Sequence, residues 1–219
     1  MELNADLSRP AIVHAASLPW VQSPSAGVAR RMLYRVGEEQ AIATSIVRYG
    51  ARSSFPSHNH PKGEEFLVLD GVFEDERGRY PAGSYVRNPP GSAHAPRSTE
   101  GCTIFVRLRQ FRDDDRHDVV ILPSPSRSRR SVFMPRSLFE SVNEHVVITD
   151  FEPNAAIDFS GHGGLELLVL EGHLASGGEC LDPWSWLRLP ADLPFVGAAG
   201  GAGCTVWVKT SAPWRANTH

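Results

Sequence analysis

The sequence predicts an all-β chain made of two tandem domains. Three observations carry this. Short β-branched and apolar runs alternate with turn residues, and seventeen Pro and nineteen Gly in 219 residues leave little room for long helices. No segment keeps a sustained helical period. The chain also repeats itself. Shifted by 101 residues, Gly63-Glu64-Glu65-Phe66-Leu67-Val68-Leu69-Asp70-Gly71 falls on Gly164-Leu165-Glu166-Leu167-Leu168-Val169-Leu170-Glu171-Gly172, with six of nine positions identical. At the same shift Ser84, Arg87 and Pro89 meet Ser185, Arg188 and Pro190, and after one insertion Gly101-Cys102-Thr103 meets Gly203-Cys204-Thr205. Matches in one order across a half-chain mean an internal duplication.

The elements follow in order. Ala43–Tyr49 is β-branched and strand-like. Phe66–Leu69 is a compact apolar run closed by Asp70-Gly71. Ser84–Arg87 alternates, and Thr103–Leu108 and Val119–Leu122 are further strands. Leu122-Pro123-Ser124-Pro125-Ser126-Arg127-Ser128-Arg129-Arg130 cannot build a core and reads as an exposed linker, its arginines a solubility feature first and a site for an anionic partner as the alternative. The expected division is therefore 1–122, a linker at 123–130, and 131–219. In the second half Arg136–Val142 is expected as a short helix, Val146–Thr149 and Thr205–Lys209 as strands. Ile12-Val13-His14 and Leu18-Pro19-Trp20 are expected to add an edge strand to the other barrel, covering an open sheet edge.

Composition narrows the function. A hydrophobic content of 41% suffices for cores, and a net charge of −3 gives no reason to expect nucleic acid or a membrane surface as partner. No apolar run approaches a membrane span. The acidic start Met1-Glu2-Leu3-Asn4-Ala5-Asp6 lacks a signal-peptide core, and three cysteines without C-x-x-C fit reduced thiols, so a cytoplasmic location is expected.

The chemistry sits in the first half. His58 and His60, two apart on an extended segment, share one face. Glu64 follows, then Gly71, and about twenty residues later Gly83, Pro89-Pro90-Gly91 and His94. Three imidazoles and a carboxylate suit a first-row divalent metal. In the strand, Glu64, Phe66 and Val68 share one face while Glu65, Leu67 and Leu69 share the other, which favours Glu64 as ligand; a bulge would give the role to Glu65.

These residues resemble the two cupin motifs. The first is read in His58, His60, Glu64 and Gly71, the second in Gly83, Pro89, Gly91 and His94. More narrowly, Gly63–Phe73, Tyr80–Gly91 and Gly101–Val106 look like the cupin domain of ChrR-type anti-sigma factors. The resemblance implies a jelly-roll β-barrel, duplicated here as a bicupin, with one divalent metal per chain in the first barrel: zinc first, with Fe(II), Ni or Mn as alternatives. It implies a homodimer as well. Two departures are visible. The family motif ends in Asn where this chain has Ser98. Residues 1–40 hold His14 and no Cys, so the sigma-binding zinc part of such factors has no counterpart, and a sigma-factor partner is not expected.

The repeat acts as an internal control. His58, His60, Glu64 and His94 become Phe159, Gly161, Leu165 and Phe195. All four polar groups vanish together, as expected of one unit, because a buried carboxylate without its ion is costly. Glu65 persists as Glu166, which points to a structural or surface role. The second barrel, despite His162, Glu166 and His173, is expected to hold no metal, with Phe159, Leu165, Trp184, Trp186 and Phe195 filling its interior. Cys102 and Cys204 are equivalent buried residues, and Arg87 and Arg188 equivalent ion-pair partners. Asp113–Asp115 reads as hydrated surface, and His117, His145 and His219 show no partner pattern. Phe66, Tyr85 and Phe105 are expected to line the pocket.

Three functions remain open at this point. One is a metal-binding sensory or regulatory protein that holds a small molecule. Another is a metal-dependent dioxygenase acting on a chelating substrate such as a diketone. The third is a structural zinc in an oligomeric module. No catalytic base beyond the ligands is evident.

Overall fold

The computed structural model describes residues 1–38, 40–123, 135–160, 163–191 and 193–211. From residue 124 on, the expected linker lies outside the described residues, as do Gly161, His162 and His219. Among the described residues the structure is β throughout, apart from a single 3-10 turn at Ala15–Ser17. No helix there is long and apolar enough to cross a membrane. The chain forms two compact units: Met1–Ala5 with Leu18–Ser126, and Asp6–Ser17 with Arg127–His219.

The first unit is built on an antiparallel sheet with the order Glu2–Leu3, Val28–Val36, Ile42–Tyr49, Cys102–Leu108, Glu64–Glu74, Tyr85–Asn88, Val119–Ile121. A small separate sheet pairs His58–His60 with Ser92–His94. The core gathers Phe66, Val68, Phe73, Tyr80, Val86, Cys102, Ile104 and Val106. Burying each of its larger side chains is worth roughly 1.5–3 kcal/mol. Phe66 and Val68 of this core lie on the same face of the strand as Glu64.

The expected end of the central strand at Asp70-Gly71 is not observed; the strand continues to Glu74. Opposite it, Thr103 pairs with Asp70 and Ile104 with Val68, so Leu69 is skipped in a bulge. Gly71 has φ 72°, and a Cβ there would overlap the Gly101 carbonyl oxygen. Only glycine fits such a left-handed position beside a crossing backbone. What reads locally as a turn is a bulge inside a longer strand.

The second unit repeats this construction. Thr205 pairs with Glu171 and Val206 with Val169, so Leu170 is skipped. Gly172 has φ 73°, and its Cβ would overlap the Gly203 carbonyl in the same way. The sheet order is Arg136–Glu140, His145–Phe151, Phe195–Thr210, Leu165–Ser176, Ser185–Leu189, Ala11–His14. The duplication is thus present in the backbone as well as in the letters.

Two expectations change here. Arg136–Val142 is not a helix: Arg136–Glu140 is a strand paired with His145–Phe151. A register shift between Ser137 and Phe139 puts Leu138 and Phe139 in succession into buried positions, which breaks the alternation that identifies a strand. The edge strand expected near the N-terminus forms at Ala11–His14, against Ser185–Leu189. Leu18–Trp20 does not join it and belongs to the first unit, where Arg31 and Arg48 stack on the Trp20 ring at 4.3 and 4.4 Å.

Candidate metal centre

The small sheet sets the site. In its register His94 lies directly opposite His58, and His60 is two residues along on the same face. The rings of His58, His60 and His94 pack edge to face, with centroids 4.8 to 5.2 Å apart. One ligand nitrogen from each can be chosen so that all three lie within 4.8 Å of one another, so the three could hold a metal ion. His60 and His94 are buried and His58 is exposed. Glu64, at the start of the adjoining strand, brings Oε2 to 3.5 Å from His60 Nε2 and 3.4 Å from His94 Nε2. Neither contact has hydrogen-bond geometry. Both nitrogens are buried and without a hydrogen-bond partner, an arrangement that fits the ligands of a cation.

The surroundings orient these groups. The Asp75 Oδ1 accepts from the Arg77 and Gly78 amides at 2.8 and 3.1 Å and from the Tyr80 hydroxyl at 3.0 Å. Its Oδ2 is left to face His94 Nδ1 at 3.3 Å. That contact leaves Nε2 of His94 as the nitrogen aimed at the cluster. Burial works to lower the His94 pKa, but the Asp75 hydrogen bond and the charges of Glu64 and Asp75 outweigh it and raise the value. At His60 burial wins over the attraction of Glu64, and the pKa falls. The Asn88 side-chain amide donates to Glu64 Oε2 at 3.1 Å. His58 Nδ1 lies 3.3 Å from the Pro56 carbonyl.

Glu65 points elsewhere. Its carboxylate accepts from the Tyr85 hydroxyl at 2.6 Å and from Arg107 at 2.8 Å, with Arg87 at 3.9 Å. The second unit keeps this motif: Trp186, at the repeat position of Tyr85, donates its indole N–H to Glu166 at 2.8 Å. Arg87 also pairs with Asp115 and stacks on Phe111 at 4.1 Å, so one member of the expected surface run Asp113–Asp115 serves a buried ion pair.

A cavity of about 540 Å³ opens beside the histidines. His58, His60 and Glu64 form part of its wall, with Val47, Tyr49, Phe55, Val106, Leu108, Arg30 and Arg109 among the rest. The expected lining of Phe66, Tyr85 and Phe105 is not among its wall residues. Phe66 is in the core below, and Tyr85 and Phe105 pair with Leu67 on the Glu65 face. Sequence reading also passed over Asp75, Asn88, Arg30 and Arg109. For the first two the repeat carried a signal, since they become Ser176 and Leu189 where the histidines become phenylalanines.

At the repeat positions in the second unit, Phe159 pairs with Phe195 as His58 pairs with His94, and both share a core with Leu165. Trp184 and Trp186, expected in that interior, are not part of this core cluster. Elsewhere in this unit His173, Cys180 and Asp182 place ligand atoms within 4.8 Å of one another, all exposed. The 2.7 Å contact between His173 Nδ1 and Asp182 accounts for their approach without an ion.

The fold is a cupin-like β-sandwich, and three histidines converge on one face of its small sheet. Residues 8–112 match the family model of the ChrR cupin-like domain. A search of curated proteins gives no match. Solved structures share the fold at low identity. A putative dioxygenase from Nostoc punctiforme superposes with a TM-score of 0.74 at 14% identity, covering 96% of this chain and 88% of that one. The bacterial pirin YhhW from Escherichia coli, in complex with nickel(II), gives 0.68 at 11%, covering 94% and 100%. A salicylate 1,2-dioxygenase from Pseudaminobacter salicylatoxidans gives 0.57 at 10%, covering 94% and 85%.

Proposed function

We propose that the first unit holds one divalent metal through His58, His60, Glu64 and His94, and that this centre binds a small molecule from the adjoining cavity in a sensory or regulatory role. The observation that carries this is the pair of buried, unpartnered nitrogens, His60 Nε2 and His94 Nε2, converging with the Glu64 carboxylate. Such groups are costly in a folded protein unless something satisfies them. A bound ion would supply Lewis-acid or redox chemistry. The residues around it fix the imidazoles through Asp75 and Pro56 and the carboxylate through Asn88.

The cavity argues against a purely structural ion, since an exposed His58 and an open wall give a ligand access. The same access favours the second reading, a metal-dependent dioxygenase, and two of the structures sharing the fold carry that description. Metal analysis of the purified chain tests the first step. The expected result is one equivalent per chain, lost on His58→Ala or His94→Ala; no metal retained or taken up from Zn, Fe(II), Ni or Mn would overturn it. Oxygen uptake by the Fe(II)-loaded chain with a diketone panel then separates the two readings. Ligand binding without oxygen consumption supports sensing, and sustained uptake supports turnover.

A further inference from the structure

The cavity beside the histidines carries two arginines, Arg30 and Arg109, that no carboxylate among the described residues pairs with. Arg30, on the strand Val28–Val36, lies in the wall beside its pairing partner Val47. Its Nε is buried without a hydrogen-bond partner. Arg109 follows the strand Cys102–Leu108 with φ 60°, a left-handed conformation that a non-glycine residue adopts at a cost. Its amide is tied to the Gly63 carbonyl at 2.9 Å, which fixes this residue beside the start of the Glu64 strand. Among the described residues no carboxylate pairs with the guanidinium of Arg30 or of Arg109. This contrasts with Arg77, Arg79, Arg87, Arg107 and Arg112, each of which meets an acidic side chain.

The wall holds one acidic residue, Glu64, and that side is turned to His60 and His94. Two guanidinium groups and a divalent ion against one carboxylate leave a surplus of positive charge in a recess with low-dielectric walls. Val28, Val47, Phe55, Val106 and Leu108 supply an apolar flank. Arginine is suited to carboxylate recognition by its fixed fork of donors.

We infer that the cavity selects an organic carboxylate with an apolar body, its metal-chelating end toward the histidines and its carboxylate toward Arg30 and Arg109. The inference rests on the metal centre proposed above and adds the class of ligand. A neutral diketone is then a poorer fit than an anionic chelator of similar size.

The test uses two probes with one chelating head, 3,4-dihydroxybenzoate and 3,4-dihydroxybenzamide, titrated calorimetrically into the full-length chain loaded with Zn(II). The benzoate is expected to bind about tenfold tighter or more, the scale of one charge-assisted hydrogen bond. Arg30→Gln and Arg109→Gln are each expected to erase most of that preference, lowering the benzamide affinity much less than the benzoate affinity and leaving the metal content unchanged. Arg109→Lys should restore part of it by returning the charge. Equal affinities for the two probes, or a preference that survives both Gln variants, overturns the inference. Metal content is read separately on the same samples. A chain that takes up no metal but still prefers the carboxylate overturns the metal centre and leaves the anion cavity standing. One that takes up metal without the preference does the reverse.

Discussion

Replacing each of two adjacent glutamates separates the fold from the site. Glu65 is 1% exposed and accepts from Tyr85 and Arg107, with Arg87 close by. In Glu65→Ala the buried Arg107 and Arg87 lose that countercharge and the Tyr85 hydroxyl loses its acceptor. Breaking a buried pair in this way costs about 3–5 kcal/mol. For a chain of this size about 2–4 °C per kcal/mol is expected, so the Tm should fall by roughly 6–20 °C. Metal affinity of the folded fraction should hold, because Glu65 faces away from the histidines. Glu64→Ala behaves oppositely. Its carboxylate meets two imidazoles outside hydrogen-bond geometry and one Asn88 amide, so little stability is lost. Metal affinity should fall by more than the roughly 10–100-fold typical of losing an outer partner. Scanning calorimetry with excess chelator reads the first effect, and competition with a chromophoric chelator reads the second. A Glu65→Ala chain that keeps its Tm and loses metal, beside a Glu64→Ala chain that keeps metal, would refute the assignment of the two faces.

Asp75→Asn should lower metal affinity by roughly 10–100-fold with the fold retained, because the amide can present N–H to His94 and reverse its tautomer; unchanged affinity by chelator competition would count against that role. Gly71→Ala and Gly172→Ala should each cost about 2–5 kcal/mol in urea unfolding, from the left-handed φ together with the overlap on the facing carbonyl. A loss under one would mean the bulge relaxes freely. Burial pushes the Cys102 and Cys204 thiols up to about 11, while Cys180 is exposed. An aromatic disulfide reagent at pH 8 should therefore label one thiol per native chain and three after unfolding. Labelling of the buried pair should stay slow until the pH approaches that value, where the thiolate forms. Fast reaction of two thiols at pH 8 would contradict the burial.

Much of the arrangement is legible in the sequence. The spacing of His58 and His60 placed two imidazoles on one face, and the loss of His58 and His94 to Phe159 and Phe195 marked them as one set; the structure pairs each couple directly across two antiparallel strands of its own unit. The continuation of the central strand through Gly71 was not legible. A bulge and a turn use the same glycine for the same backbone reason, and only the strand beyond tells them apart. The helix expected at Arg136–Val142 failed for a related cause, since the bulge beside Leu138 and Phe139 removes the alternation on which strand reading depends.

The sequence by itself determined the β class, the duplication and the face on which the histidines lie. All three are written in periodicities of a few residues or in a direct comparison of two stretches. The tertiary structure alone decided which remote groups meet them. Asp75 reaches His94 from nineteen residues away, Arg30 and Arg109 come to one cavity from opposite ends of the first unit, and Ala11–His14 completes the sheet of the second. Such meetings follow from strand pairing and chain crossing between distant segments, and a local pattern constrains which face a side chain takes without specifying what stands opposite it.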